Sequence, residues 1–330
     1  MKALVYGAGV IGSYLTHVLC MAGNDVTLLA RGSWRETLEW DGLTISHRLQ
    51  RETTHDRPRM IGTLDDVHYD LVFAVMQYQQ MSALLDELSQ VNSPLVVLVG
   101  NNAAAKGMET YIQAHTAVPK TVLFGFQGTG RRREDGKVLC VRWGMGSMSI
   151  GGVESEPPDG VKQTVSAALC GTKYRLTWVS NMDAWYKCHL ALILPVCYLS
   201  YALDCDLTQA GGPQIKQVME AVGEGYGLLN MLGFPILPEG SRDELCGSKG
   251  ALFYALLRIM AKTAIGRLAA TDHCRHAVTE MEALDKAFAA LQEQNSDLSM
   301  PNWDALRNAM PDWNILHRLY EKSEGEVRRK

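Results

Sequence analysis

Residues 3–12 read Ala3-Leu4-Val5-Tyr6-Gly7-Ala8-Gly9-Val10-Ile11-Gly12. The apolar run 3–6 predicts a short buried strand, and the pattern of residues 10–21 predicts a helix directly after it. Between them, Gly7, Gly9 and Gly12 form a G-x-G-x-x-G turn in which each glycine has its own physical task. Gly7 permits a tight turn with no Cβ to clash, Gly9 lets a pyrophosphate approach the backbone, and Gly12 lets the helix pack close to the strand. The helix start at Val10 and Ile11 then offers N–H groups and a partial positive charge to phosphate oxygens. Such a motif is weak alone, because glycine turns are common. Its setting strengthens it: Asp25-Val26-Thr27-Leu28-Leu29 reads as a second strand at the distance a β-α-β unit requires. Residues Gly7, Ala8, Gly9, Val10, Ile11 and Gly12 are the expected cradle of a dinucleotide.

The tip of the second strand selects which dinucleotide. NAD-preferring units carry Asp or Glu there to bind ribose hydroxyls, but this chain reads Leu28-Leu29-Ala30-Arg31-Gly32. Arg31 is suited to a charge-assisted contact with a 2′-phosphate, and Arg35 is close enough in sequence to help. NADP(H) is therefore expected over NAD(H).

A chain of 330 residues exceeds most single cores and implies two domains. Its 47% apolar and 21% charged content is that of a water-soluble globular protein. The net charge of −4 leaves no basic excess to attract nucleic acid. Arg131-Arg132-Arg133 runs straight into Glu134-Asp135-Gly136 and reads as a solvated hairpin loop. No apolar run approaches the ~20 residues that span a bilayer; the longest, 190–199, contains Pro195. The first residues read as a strand rather than a leader. None of the eight cysteines forms a C-x-x-C pair, and Cys20, Cys170 and Cys197 sit among apolar residues. They read as reduced, mostly buried thiols of a cytoplasmic protein.

Strand patterns at 71–75, 95–99, 121–126, 138–141, 147–150 and 174–179 alternate with helical ones at 81–88, 103–114 and 161–169. Short apolar strands interleaved with helices imply a mostly parallel, doubly wound sheet. Beyond residue 180 the character changes. Segment 183–203 is one long apolar helix pattern interrupted at Pro195, and 215–232, 251–265 and 277–292 follow with helical spacing. Residues 1–180 are thus expected to form a dinucleotide-binding domain and residues 181–330 a helical substrate or dimerisation domain. Met219, Met231, Met260 and Met281 are expected in its core rather than at an interface.

Four segments in this order resemble the ketopantoate reductase (2-dehydropantoate 2-reductase) family: Gly7-Ala8-Gly9-Val10-Ile11-Gly12, Leu29-Ala30-Arg31-Gly32, Asn101-Asn102 after a buried strand, and Trp185-Tyr186-Lys187 opening a long helix. Thr279-Glu280 is a fifth, weaker match. The resemblance covers nearly the whole chain, and the helix-opening lysine is its most diagnostic part. It implies a Rossmann-like doubly wound sheet followed by an all-α domain of the 6-phosphogluconate dehydrogenase type. It also implies NADPH-dependent reduction of a 2-oxo acid to a 2-hydroxy acid, with the cofactor on the N-terminal sheet, and a homodimer.

Reducing a ketone needs a hydride donor and a group that stabilises the developing alkoxide. By resemblance Lys187 is the catalytic lysine, and its neighbours Trp185, Tyr186, Leu190 and Leu192 set it among apolar groups. Asn101 would contact the nicotinamide end or orient the lysine. Glu280 would accept a hydrogen bond from the substrate hydroxyl or hold Lys187, with Glu282 the fallback. Gln79 is taken as a cofactor contact. Several positions depart from the family. Asn102 replaces a glycine, and Ala191 stands where an asparagine is usual four residues after the lysine. Leu268 falls where a substrate-binding serine is expected, with Thr271 a substitute only if a gap is allowed. Val75-Met76-Gln77-Tyr78-Gln79 lacks a lysine that is frequent in that segment. A pocket that has lost hydrogen-bonding groups suits a different, more apolar 2-oxo acid or ketone.

Two alternatives stay open: a catalytically inactive NADP(H)-binding sensor or scaffold, and an opine-like or other hydroxyacid dehydrogenase of the same fold. Asp272-His273-Cys274-Arg275-His276 has no second cluster with metal-ligand spacing and reads as a helix surface, so no metal is expected. His189 reads as a packing histidine.

Overall fold

The computed structural model describes residues 1–320 except 129, 135, 143, 246, 264–270 and 296, and the backbone alone of 130–132. The chain divides into two compact units, Met1–Asp183 and Ala184–Lys330.

The first unit is built on β1 (Lys2–Tyr6), α1 (Val10–Met21), β2 (Asp25–Leu29) and α2 (Gly32–Asp41). Then come β3 (Leu43–His47), β4 (Glu52–Asp56), β5 (Arg59–Ile61), β6 (Leu71–Val75), α3 (Tyr78–Ser82) and α4 (Leu85–Gln90). After them lie β7 (Leu95–Val99), α5 (Ala105–His115), β8 (Thr121–Phe126), β9 (Gly130–Glu134) and β10 (Lys137–Val141). The unit closes with β11 (Ser147–Gly151), α6 (Asp159–Ala168) and β12 (Arg175–Val179). Eight strands form the main sheet in the order β12-β11-β8-β7-β6-β1-β2-β5, and only the β8–β11 pair is antiparallel. Strands β6 and β7 are buried at every position, as expected of parallel strands covered on both faces.

A second sheet, β4-β3-β10-β9, lies against α1. The sequence reading missed most of it. Glu52-Thr53-Thr54-His55-Asp56 and Arg59-Met60-Ile61 carry no apolar alternation, and only Leu43, Ile45 and His47 turn inward along β3. Residues 138–141, read with the main-sheet strands, belong here instead: Val138 and Cys140 are fully buried, and β10 runs parallel to β3. The arginines at 131–133 stand in strand β9, paired with β10, and not in a loop. The helix expected over 81–88 is split into α3 and α4 at residues 83–84. Cys170, read as buried, is exposed.

The second unit is helical throughout. Its first helix, α7 (Met182–Ala202), runs unbroken through Pro195. The proline removes one backbone hydrogen bond at a cost of ~3 kcal/mol, but α7 is buried on most of its surface and held along its length. Cys197 Sγ lies 3.5 Å from Met281 Sδ, Tyr198 Oη donates to Asp285 at 2.6 Å, and Tyr201 Oη donates to the Cys274 carbonyl at 2.9 Å. The helix α8 (Gly212–Met231) crosses α7 where Gly225 meets Ala191, so closely that a Cβ on Gly225 would come within 3.0 Å of the Ala191 methyl. Helices α9 (Gly247–Lys262), Val278–Glu293, Pro301–Ala309 and Trp313–Tyr320 complete the described part of the unit. Asp285 also accepts from Arg307 at 2.8 Å and Trp313 at 3.2 Å, and so ties three other helices to its own. Met281 is fully buried, but Met231, expected in the core, is 59% exposed at the end of α8. No described helix is long and apolar enough to cross a membrane.

Candidate active site

The glycine loop has distinct roles at its three positions. Gly7 has φ +113°, and a Cβ there would lie 2.2 Å from the Val75 carbonyl of β6. A Cβ on Gly12 would fall 1.9 Å from the Gly7 carbonyl, so α1 touches the strand-to-helix turn backbone to backbone. A Cβ on Gly9 would meet nothing within 4 Å: that side of the loop faces open space. The first bond of α1 runs from Ser13 N to Gly9 O at 2.8 Å, and no side chain caps the helix and no acid stands in its first turn. The N–H groups of Val10, Ile11 and Gly12 therefore present an uncapped, electropositive helix end above an open glycine.

Arg31 follows β2 at the N-cap of α2, and it already has an anionic neighbour. Its Nη2 donates to Tyr6 Oη at 2.5 Å and to Glu87 Oε2 and Oε1 at 3.2 and 3.4 Å. Tyr6 Oη in turn donates to Glu87 Oε2 at 2.5 Å. Burial first, and then Glu87, push the Tyr6 hydroxyl well above its ordinary pKa, so it stays a neutral relay. Arg35, expected to assist, is instead paired with Glu39 one helical turn on, at 2.7 Å. Sequence reasoning had no signal for Glu87, because helix α4 packs it against the first strand only in three dimensions.

Two amides stand at the carboxyl edge of the same sheet, where ligands of α/β folds gather. Asn101 follows β7 and is 8% exposed; its Oδ1 is buried and has no hydrogen-bond partner among the described residues. Gln79, in α3, likewise has a buried, unpartnered Oε1, while its Nε2 donates to Gln77 at 2.8 Å. Asn102 needs no glycine geometry, since positive φ belongs to Gly100 two residues before it. Its Oδ1 accepts from Ala104 N at 2.8 Å and its Nδ2 points to Met108 Sδ at 3.2 Å, so the substituted position stiffens the loop.

Arg133, read as a solvated loop residue, reaches the glycine loop from strand β9. Its Nη2 donates to the Ala8 carbonyl at 3.3 Å, and its guanidinium lies 5.1 Å over the Trp34 ring of α2. The charge-run rule hid it, because 125 residues separate it from Ala8.

In the helical unit Lys187 is 7% exposed on α7, with its Nζ 4.6 Å from the centre of the Phe234 ring. Glu280, in the first turn of Val278–Glu293, is 3% exposed and lies 3.4 Å from His273 Nε2. It is therefore no solvated helix glutamate. Glu282 is engaged elsewhere, by Lys286 and His317 at 2.6 Å each. His273 turns toward Glu280 rather than away from the helix as a surface residue. His189 stacks on Trp185 at 5.2 Å and 14°; burial, then the neighbouring His273, lower its pKa to about 4. Ala191 lines the α7–α8 crossing, so the asparagine usual there would meet Gly225 of the next helix. Leu268 lies outside the described residues. Thr271, 2% exposed, has a buried hydroxyl with no partner among them.

The first unit fits a dinucleotide on its own features: an open glycine, an uncapped helix end, and two buried amide oxygens at the sheet edge. The eight-stranded sheet defines the class, a Rossmann-type domain with a helical second unit. Residues 3–155 match the family model for "Ketopantoate reductase PanE/ApbA". The match covers just under half of the chain, and through it the first unit is similar to the ketopantoate reductase family.

Solved structures share the fold. A PanE/ApbA family ketopantoate reductase from Ralstonia eutropha aligns with TM-score 0.73 and 15% identity over 97% of this chain and 100% of its own. A 2-dehydropantoate 2-reductase from Methylococcus capsulatus gives 0.70 and 16% over 98% and 97%. D-mandelate dehydrogenase with NADH and anilino(oxo)acetate gives 0.71 and 15% over 97% and 100%. No curated protein matches the sequence. At 15–16% identity these likenesses show a shared fold.

Proposed function

We propose that the protein reduces a 2-oxo acid, or a related ketone, to the 2-hydroxy compound with NADPH, and that its substrate is more apolar than ketopantoate. The observation that carries this reading is Lys187: an ammonium group buried on a largely apolar helix, in a chain whose residues 3–155 match a reductase family model. A buried cation costs desolvation free energy, and such groups gather where chemistry needs them.

Bound nicotinamide supplies the hydride. Gly7, Ala8, Gly9, Val10, Ile11 and Gly12 hold the pyrophosphate through backbone N–H groups, and Arg31 takes the 2′-phosphate. Gln79 and Asn101 offer their buried amide oxygens to the cofactor. Lys187 places its ammonium at the substrate carbonyl oxygen, stabilises the negative charge that develops there and donates a proton to it. Glu280 accepts a hydrogen bond from the resulting hydroxyl or orients Lys187.

The apolar substrate preference rests on Met76 and Ala191, which replace polar groups usual in the family, and on the tight Ala191–Gly225 crossing. The oxoacetate in the D-mandelate dehydrogenase structure carries an anilino group, a substituent of the size and character this reading favours. The test is NADPH oxidation over 2-oxo acids of graded size and polarity, ketopantoate included. Turnover is expected to rise with apolar side-chain size. Ketopantoate as the best substrate would overturn the altered pocket. Tight NADPH binding without turnover of any compound would leave the sensor or scaffold reading in its place.

A further inference from the structure

Arg31 does not present an unencumbered guanidinium to a ligand. One of its nitrogens, Nη2, makes its hydrogen bonds among the described residues, to Tyr6 and to both carboxylate oxygens of Glu87. The Arg31 guanidinium also lies 5.6 Å from the centre of the Tyr6 ring. Tyr6 occupies the last position of β1 and is 2% exposed, so the hydroxyl that bridges the two charges is fixed by the sheet itself. Its proton is directed to Glu87 while its lone pair receives Arg31. The Arg31 and Glu87 side chains themselves are about half exposed, at 55% and 44%, and are open to a ligand. Arg31 Nε and Nη1 have no partner among the described residues.

We propose that Glu87 is a specificity-determining residue for the cofactor: its carboxylate stands at the Arg31 guanidinium as a counter-ion that a 2′-phosphate must displace or sit beside. This deepens the preceding reading and rests on it, because it assumes that Arg31 receives the 2′-phosphate. A dianionic phosphate held by Nε and Nη1 lies within a few ångströms of Glu87, and like charges at that distance disfavour binding. A ribose 2′-hydroxyl carries no such charge and is itself a donor to a carboxylate. Glu87 therefore narrows the NADPH preference that Arg31 creates and leaves NADH a usable second cofactor.

The test measures dissociation constants of NADPH and NADH, by nicotinamide fluorescence, on the full chain. The variants are Glu87→Gln, Glu87→Asp, Tyr6→Phe and Arg31→Ala, each with a melting curve. Glu87→Gln is expected to tighten NADPH about three- to tenfold while NADH changes less than twofold or weakens. Glu87→Asp, which keeps the charge, is expected to keep the wild-type ratio. Tyr6→Phe should shift the ratio in the direction of Glu87→Gln by a smaller factor, since it loosens the carboxylate. An unchanged NADPH-to-NADH ratio in Glu87→Gln, alongside a lowered one in Arg31→Ala, would overturn the role of Glu87 and leave Arg31 its own. An unchanged ratio in Arg31→Ala would instead remove the 2′-phosphate reading beneath it. A ratio shifted equally by Gln and Asp would assign the effect to side-chain length and overturn the role of charge.

Discussion

The two units hold their functional groups by different means. In the first, the expected ligand cradle is backbone: a turn whose shape is set by Gly7 and Gly12 and whose open side is left by Gly9. In the second, the candidate groups are side chains, Lys187 and Glu280, set on separate helices and desolvated by the packing around them. A backbone site is specified by a short, contiguous run of residues. A side-chain site on helices depends on how distant helices cross. In the second unit such crossings decide what each group meets: Ala191 is small where α8 presses on α7, and Glu280 acquires His273 as a neighbour.

The sharpest way to break this contrast is at Lys187. Lys187→Ala is expected to lower kcat by ~10²-fold or more, the scale of lost acid catalysis, with cofactor binding intact in a fluorescence titration. An unchanged kcat would take the second unit's lysine out of the mechanism. Next come the two glycines of the first unit. Gly12→Ala drives a Cβ into the Gly7 carbonyl and is expected to destabilise the fold by about 2 kcal/mol or more, read as a lowered melting midpoint. Gly9→Ala meets no protein atom, so its melting curve should match wild type while NADPH affinity falls about tenfold. Equal thermal effects at the two positions would show that the open side of the loop is not the ligand's.

The next comparison is between two glutamates two residues apart on one helix. Glu280→Gln is expected to reduce kcat/KM about tenfold, whereas Glu282→Gln, which loosens surface pairs to Lys286 and His317, should change it less than twofold. The reverse order would shift the site by one register. The smallest effect is on pH. His47, in the first unit, accepts from Arg142 Nε at 3.1 Å through Nδ1 and lies 2.9 Å from the Thr54 hydroxyl through Nε2, so it is neutral. Burial, then the Arg142 charge, lower its pKa from the ordinary 6.5 to about 4. His189, in the second unit, is likewise lowered to about 4. Between these values the unfolded chain binds protons that the folded chain does not. Stability is thus complete above pH 6.5 and declines as pH falls toward about 4. Melting curves across that window should flatten in part for His47→Gln and in part for His189→Gln, one contribution from each unit.

The sequence by itself determined the turn of residues 7–12, the strands at 25–29, 71–75 and 95–99, the helix at 10–21, and the change to helices beyond residue 180. Each is encoded locally, by glycine position, apolar runs or helical period, and needs no distant partner to be read. Tertiary structure alone decided the rest. It made a second sheet from segments 43–47, 52–56, 130–134 and 137–141, where polar strands are stabilised by ladder pairing rather than by their own pattern. It carried Arg133 to Ala8, set Glu87 on Arg31, and packed Ala191 against Gly225. Such pairings join residues tens to more than a hundred positions apart. Their energy comes from proximity, which a linear pattern of residue types does not contain.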